Sequence, residues 1–163
     1  HPAMRVLGFD APGGRAGAWA VVDSRRGGML SGVGDVELHD KESEADHYRK
    51  LYVVFREAIA VLNVQLFVVE QPFYPVSHRI AQYVGAAKIY AASFRVNWLM
   101  LTSSGARKLV LGSGGPGKAA KAEVLSTMIA RFGARRITNQ HRADAALYAL
   151  AGVRYYETHG GTP

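Results

Sequence analysis

Two short apolar runs that each end in an acidic residue constrain the fold of this chain more than any other feature. Residues 4–10 end at Asp10 and residues 65–70 end at Glu70. Runs of this length that are rich in Val, Leu and Phe are typical of buried strands. Each predicted strand therefore brings a carboxylate to the edge of a sheet.

A second pair of polar side chains lies near the C-terminus. His141 and Asp144 are three residues apart at the start of an Ala/Leu-rich helical stretch, which places them on one helix face. With Asp10 and Glu70 they offer the oxygen and nitrogen donors that a divalent cation requires. The same donors suit hydrolysis of a phosphodiester with two metal ions, and an imidazole favours Mn²⁺ somewhat over Mg²⁺. The alternative is that strand-end acids cap loops and face water.

The pattern of apolar residues predicts a single α/β domain. The predicted strands are 5–10, 16–22, 29–38, 65–70 and 96–101, and the predicted helices are 42–62, 77–94, 104–111, 118–132 and 139–156. Asp40 or Ser43 caps the first helix, and the fourth strand, apolar throughout, is central. Trp19 and Trp98 lie inside strand patterns and are expected in the core. Three sequential strands followed by strands that alternate with helices predict a mixed five-stranded sheet flanked by helices.

Size and composition limit the class of protein. The chain of 163 residues has no cysteine, which excludes disulfides and thiolate metal sites and permits a reducing, cytoplasmic location. No stretch reaches the ~18 apolar residues of a membrane span. We expect the domain to cover residues 4–157, residues 1–3 to be a remnant of cloning, and residues 158–163 to form a disordered tail.

The positive charge is concentrated in the middle of the chain. Residues 71–136 hold ten Lys and Arg residues against one acid, Glu123, whereas the first seventy residues hold eight basic and ten acidic residues. A basic region beside an acidic cluster suits a polyanion that docks around a metal centre. The alternative is a solvated basic surface, and charge alone does not separate DNA from RNA.

Two loops add candidate contacts. The segment Gly112 to Lys118 is rich in glycine but lacks the Gly-Lys-Ser/Thr ending of a phosphate-binding P-loop, so we expect a hinge that brings Lys118 and Lys121 to a phosphate. Phe73 and Tyr74 lie in a proline-flanked loop after Glu70. Such a loop either presents an aromatic ring that stacks on an unpaired base or packs the ring beneath itself.

Three motifs resemble those of the RuvC family of Holliday junction resolvases. Gly8-Phe9-Asp10-Ala11-Pro12-Gly13 is similar to that family's opening Gly-Ile-Asp-Pro-Gly, although Ala11 is inserted before the proline. Val69-Glu70-Gln71-Pro72-Phe73 is similar to its Val-Glu-Gln-x-Phe. His141-Arg142-Ala143-Asp144 is similar to its closing segment, in which His or Asp precedes the last Asp by three residues. The order and spacing of the motifs match over nearly the whole chain.

The resemblance implies a ribonuclease H-like fold and a metal-dependent endonuclease, with Mg²⁺ or Mn²⁺ as two ions per active site. It implies Asp10, Glu70, His141 and Asp144 as ligands, Lys121 as the active-site lysine, and Arg107 or Lys108 as a second basic residue near the scissile phosphate. It further implies Phe73 as a wedge between bases and a homodimer that cuts a four-way DNA junction in paired, symmetric cuts. For the dimer contact we favour the second helix, whose apolar and aromatic surface at Tyr83, Ala87, Tyr90, Ala91 and Phe94 exceeds one face. Its small residues Gly85, Ala86 and Ala91 would allow close helix approach, and a branch-migration partner stays unidentified.

Other functions compete with this interpretation. A related YqgF-like or ribonuclease H-like nuclease would act on RNA or other branched DNA, because the first motif is shared with YqgF-type nucleases. A junction-binding protein without turnover is disfavoured because all four site positions hold competent ligands. An actin-fold ATPase would need a second phosphate loop and a much longer chain.

Overall fold

The structure is a computed structural model that describes residues 3–71, 78–115 and 117–160. Its elements, in chain order, are β1 (Arg5–Asp10), β2 (Ala16–Asp23), β3 (Met29–Glu37), α1 (Glu44–Leu62), β4 (Leu66–Glu70), α2 (His78–Ser93), β5 (Asn97–Leu101), α3 (Ser103–Leu111), α4 (Lys118–Phe132) and α5 (Gln140–His159). A short 3₁₀ turn, Arg25–Gly27, joins β2 to β3. The predicted ranges agree with these bounds to within two residues, except at the end of α5.

The strands form one mixed sheet in the order β3-β2-β1-β4-β5. β1, β2 and β3 pair antiparallel, as expected from the glycine turn at Gly27 and Gly28, whereas β4 and β5 run parallel to β1. In the pairing of β1 with β4, Phe9 lies opposite Val69. The carboxyl ends of these two strands therefore meet at one edge of the sheet, with Asp10 and Glu70 as their last residues.

Helix α5 packs very close to the sheet because a glycine lies on each side of their contact. A Cβ atom at Gly8 of β1 would lie 2.1 Å from the Ala145 carbonyl oxygen. A Cβ atom at Gly152 of α5 would lie 2.5 Å from the Val68 side chain. Residues 145–153 of α5 are all buried, so this part of the helix has no exposed face. α3 and α4 cover the side of α5 that the sheet does not.

Helices α1 and α2 cover the opposite face of the sheet. Phe55 of α1 meets Phe9 and Phe67 edge-on, with ring centroids 5.2 and 5.0 Å apart. Ser43 caps α1 in a capping box with Asp46, which selects Ser43 over the alternative, Asp40. The sheet is thus buried between two helical layers, each with its own apolar core.

The face of α2 that was predicted to form the dimer contact is covered within the chain. Tyr83, Ala87 and Ala91 are buried in the chain's own core, the Tyr90 hydroxyl donates to the Tyr48 carbonyl at 3.0 Å, and Phe94 stacks on Tyr52. The face proposed for dimer contact is therefore occupied by α1. This apolar surface exceeds one helix face because α2 packs on both the sheet and α1.

Two further predictions are corrected. Trp98 is 39% exposed because β5 is the edge strand of the sheet, while Trp19 is half-buried and lies over Gly32 and Gly34. The predicted tail begins too early, because α5 continues through His159 and ends at Gly160 with a φ of 68°. Among the described residues, no helix has the length and apolarity needed to cross a membrane.

Candidate active site

A small cavity lies at the sheet edge where β1 and β4 end. It has a volume of about 140 Å³. Asp10 and Glu70 enter it from the strands, Asp144 enters from α5, and Lys121 enters from α4. The structure therefore brings together four of the five predicted catalytic residues, and the fifth, His141, contacts Asp10 directly.

The start of α5 is held in place by a set of polar contacts. Asn139 caps the helix by accepting from the Arg142 backbone N–H. The Arg142 guanidinium pairs with both carboxylate oxygens of Asp35 on β3, at 2.8 and 3.0 Å. Bidentate pairs of this kind fix orientation as well as distance. They tie the first turn of α5, which carries His141 and Asp144, to the far side of the sheet.

Asp10 and His141 form a close polar pair at the site. His141 Nδ1 lies 2.7 Å from Asp10 Oδ2. Burial raises the pKa of Asp10, and the hydrogen bond with His141 opposes that rise. The same bond raises the pKa of His141. The imidazole thus compensates part of the negative charge of the Asp10 carboxylate at the end of β1.

The other two carboxyl groups are also shifted towards the protonated form. Burial raises the pKa of Glu70, and the charges of Asp10 and Asp144 raise it further. Burial raises the pKa of Asp144 to about 6, with a smaller contribution from Asp10. Lys121 lowers the pKa of both groups. Carboxylates that lie close together in a cleft repel one another, and a bound cation would relieve that repulsion.

Two of the three carboxyl groups have a hydrogen-bonding partner among the described residues. His141 Nδ1 is hydrogen-bonded to Asp10, and Gln140 Nε2 donates to Asp144 Oδ1 at 2.9 Å. Tyr148 lines the cavity together with Glu70. Across the described ranges, no group of three or more His, Asp or Glu side chains is arranged to hold a metal ion. The donor chemistry nevertheless fits a hard divalent cation, because three mutually destabilised carboxylates and an imidazole surround the same sheet edge.

The predicted basic residues separate into two groups. Arg107 lines the cavity, contacts Ser103 Oγ, and donates to the Gly114 carbonyl at 3.3 Å. Its Nε is buried and has no hydrogen-bond partner among the described residues. Lys108 and Lys118 are exposed and do not line the cavity. Of the two alternatives for a second basic residue, the structure therefore favours Arg107. Phe73 and Tyr74 lie outside the described residues.

Sequence reasoning missed Ser103, Gln140 and Tyr148. Ser103 follows the helix cap Thr102, which accepts from the Gly105 N–H and starts α3 beside the cavity. Tyr148 follows Asp144 by four residues and so shares its helix face. That spacing was the available signal, but an aromatic residue in an Ala/Leu-rich helix is typical of core packing.

Comparison with solved structures identifies the fold. The chain superimposes on Thermus thermophilus RuvC, both alone and in complex with a Holliday junction substrate, with a TM-score of 0.78 and 17% identity over 98% of this chain and 99% of that one. A fowlpox virus resolvase in complex with Holliday junction DNA matches with a TM-score of 0.64 and 12% identity, over 93% and 98% of the two chains. The yeast mitochondrial Holliday junction resolvase matches at 0.58 and 13%, over 98% and 86%.

Searches with protein-family models and against curated proteins found no match. The structural likeness therefore rests on backbone arrangement and not on overall sequence. It confirms the predicted α/β class, with a mixed five-stranded sheet flanked by helices. The chain has the ribonuclease H-like fold of the RuvC resolvases.

Proposed function

We propose that this protein is a metal-dependent, structure-selective endonuclease that binds four-way DNA junctions and hydrolyses phosphodiesters in paired cuts. One observation carries the proposal: three half-buried carboxyl groups from β1, β4 and α5 share a cavity with Lys121. The three structural neighbours named for Holliday junction resolution or Holliday junction complexes support the choice of substrate. The basic stretch 71–136 supports a polyanionic ligand.

The side chains of the cavity would have different roles in hydrolysis. Asp10, Glu70, Asp144 and His141 would hold two ions, Mg²⁺ or Mn²⁺, which supply an activated water and stabilise the leaving 3′-oxygen. Lys121 would lie beside the scissile phosphate and stabilise the charge that develops in the transition state. Arg107 would offer its unpaired Nε to a neighbouring phosphate oxygen.

Contacts outside the cavity would select the branched substrate. Lys118 and Lys108, both exposed, would neutralise backbone phosphates. Phe73 remains the proposed wedge between bases and Tyr74 its neighbour in the same loop, on sequence grounds alone. A four-way junction has two scissile strands related by a two-fold axis. Paired cuts therefore require two copies of a chain that carries one such cavity.

The test is cleavage of a synthetic four-way junction in Mg²⁺ or Mn²⁺, beside a linear duplex and an RNA–DNA hybrid. Asp10→Asn, Glu70→Gln and Asp144→Asn should each abolish cleavage and leave junction binding largely intact, because each removes a metal-binding charge and keeps the shape of the side chain. Full cleavage by any one of them would exclude that residue from the site. Preferential cleavage of the hybrid would favour a ribonuclease H-like activity on RNA.

A further inference from the structure

The start of α5 is bound to the edge strand β3 by three polar side chains that contact one another. The Asp35 carboxylate accepts from Arg142 Nε at 2.8 Å and from Arg142 Nη2 at 3.0 Å. The same carboxylate accepts from Asn139 Nδ2 at 3.2 Å. Asn139 Oδ1 in turn accepts from the Arg142 backbone N–H at 2.8 Å. The three residues therefore form a closed set of hydrogen bonds around the cap of the helix.

The segment that precedes α5 has a second attachment to the same strand. Arg142 Nη1 donates to the Arg136 carbonyl at 2.9 Å, and Arg136 Nη1 donates to the Leu30 carbonyl at 2.6 Å. Only 19% of the Arg142 side chain and 34% of the Asp35 side chain are exposed. The ion pair is therefore better shielded from water and salt than a pair on the open surface.

The turn that is attached in this way carries two of the proposed metal ligands. His141 and Asp144 lie on either side of Arg142 in the first turn of α5. Asp144 shares the cavity with Asp10 and Glu70, and ionised carboxylates in one cavity repel one another. That repulsion acts to move the first turn of α5 away from the ends of β1 and β4. An attachment outside the cavity is needed to oppose it.

Two contacts oppose this movement, and they differ in one respect. The hydrogen bond between His141 Nδ1 and Asp10, 2.7 Å long, joins two proposed ligands, so an ion held by both residues would compete with it. Asp35 and Arg142 do not line the cavity. Their pair therefore keeps its two hydrogen bonds whether or not an ion is bound.

We propose that Asp35 and Arg142 are positioning residues for the metal site. Their bidentate pair holds the first turn of α5 where Asp144 and His141 can share an ion with the carboxylates of β1 and β4, because such a pair fixes orientation as well as distance. This inference rests on the proposed function, which assigns these ligands. Loss of a partner outside the ligand set typically weakens metal binding or activity by about 10- to 100-fold.

The test measures Mn²⁺ binding by titration calorimetry in the absence of DNA. Arg142→Gln removes both hydrogen bonds to Asp35, and we expect it to weaken Mn²⁺ binding about tenfold. Loss of a positive charge beside the site would by itself strengthen the binding of a cation. The direction of the change therefore separates a positioning role from a direct effect of the Arg142 charge.

Asp35→Asn should weaken Mn²⁺ binding by a similar factor. The double variant should bind no more weakly than the weaker single variant, because both substitutions remove the same pair. Glu157→Gln is the matched control. Glu157 also pairs with an arginine of α5, Arg154, at 3.4 Å, but it lies about 20 Å along the helix from Asp144. Its substitution should leave Mn²⁺ affinity unchanged.

Hydrogen exchange of the metal-free protein separates positioning from general stability. Backbone amides of residues 143–146 should exchange faster in Arg142→Gln than in the wild type, whereas amides of residues 150–156 should not change. A loss of global stability would instead speed exchange in both ranges and would overturn the inference. If Arg142→Gln does not fold, Arg142→Lys decides the question, since it keeps the charge and loses the planar fork; it should also weaken Mn²⁺ binding.

Several results would contradict the positioning role. Unchanged Mn²⁺ affinity in the Asp35 and Arg142 variants, stronger binding by Arg142→Gln, or an equal loss in Glu157→Gln would each overturn it. Absence of Mn²⁺ binding by the wild type would overturn it as well. Failure of the wild type to cleave junctions, with the expected order of Mn²⁺ affinities intact, would overturn the proposed function alone.

Discussion

At the scale of the residue, Asp144 shows how a site can oppose the stability of its own fold. Its pKa is raised from 3.8 to about 6, mainly by burial. Between these two pH values the folded chain binds more protons at this carboxyl than the unfolded chain does. The free energy of unfolding therefore falls as the pH rises through this window. Above pH 6 Asp144 is ionised in the folded chain, and the cost of desolvating its charge lowers the free energy of unfolding in full.

Asp144→Asn should therefore stabilise the metal-free protein at pH 8 while it abolishes cleavage. We expect an increase on the order of 1–3 kcal/mol in the free energy of unfolding, measured by urea denaturation. The amide oxygen can still accept from Gln140, so packing is preserved. The difference from the wild type should shrink towards zero near pH 4. A variant that is no more stable than the wild type at pH 8 would contradict this account.

Lys121 and Lys118 lie one helical turn apart on α4 and offer a matched comparison. Lys121 lines the cavity and Lys118 does not. Lys121→Ala should slow cleavage of saturating junction by about 10²- to 10³-fold, because its charge acts mainly on the transition state. Lys118→Ala should leave that rate unchanged and should reduce the salt dependence of binding by about one log–log unit. Single-turnover cleavage rates and binding titrations at several salt concentrations distinguish the two residues. Equal losses of cleavage and of binding in Lys121→Ala would show that Lys121 is an ordinary phosphate contact.

At the scale of the element, the close contact between β1 and α5 sets the geometry of the cavity. Gly8 has no room for a side chain, since a Cβ atom there would lie 2.1 and 2.5 Å from backbone atoms of Ala145 and Ala149. Backbone atoms of a buried helix cannot move as a flexible side chain can. Any side chain at Gly8 would therefore displace α5, and His141 and Asp144 with it.

Gly8→Ala should destabilise the fold by about 3 kcal/mol or more, as expected for severe overpacking in a core. It should also reduce cleavage at temperatures where the variant is still folded, because β1 and α5 carry the ligands. Gly14→Ala is the control, since a Cβ atom at Gly14 would meet no atom of the described residues within 4 Å. Denaturation curves and cleavage rates for both variants are the measurements. Equal free energies of unfolding for Gly8→Ala and Gly14→Ala would contradict this prediction and would show that α5 tolerates displacement from the sheet.

The elements also show which features the sequence could predict. The bounds of β1, β4 and α4 were predictable because short apolar runs and glycine breaks depend on neighbouring residues alone. The placement of Asp10 and Glu70 at one edge of the sheet followed from their positions at strand ends. The exposure of Trp98 and the burial of the α2 aromatic face were not predictable, because they depend on which distant helix covers each surface. Tyr148 was missed for the same reason, since Ser103 and Glu70, which line the cavity with it, lie far away in sequence.

At the scale of the whole molecule, the outward surface of α2 determines how two copies could meet. Ile89 is 66% exposed on this helix. A Cβ atom at Gly85, one turn earlier, would meet no atom within 4 Å in the part of the chain that the structure describes. An exposed isoleucine beside a small residue permits two helices to approach closely. We propose that this surface, and not the aromatic face buried against α1, forms the dimer contact.

Ile89→Glu should convert a dimer into a monomer, because two buried like charges would face each other across the two-fold axis. Light scattering at micromolar concentration is the measurement. Val61→Glu is the control, since Val61 is 73% exposed on α1 and lies away from the proposed contact. A wild type that is monomeric, or an Ile89→Glu variant that remains dimeric, would contradict the proposed contact.

The placement of α5 also has a consequence for synthesis of the chain on the ribosome. The cavity takes Asp10 and Glu70 from the first half of the chain, but it takes Asp144 from the element that follows all the others. Chains emerge from the N-terminus at about 5–20 residues per second, so the two strand carboxylates are exposed before their helical partner exists. A growing chain therefore carries an incomplete cleft until α5 docks between the sheet and α4. If the proposed function holds, competence to cut nucleic acid would arise in one late step, when α5 docks.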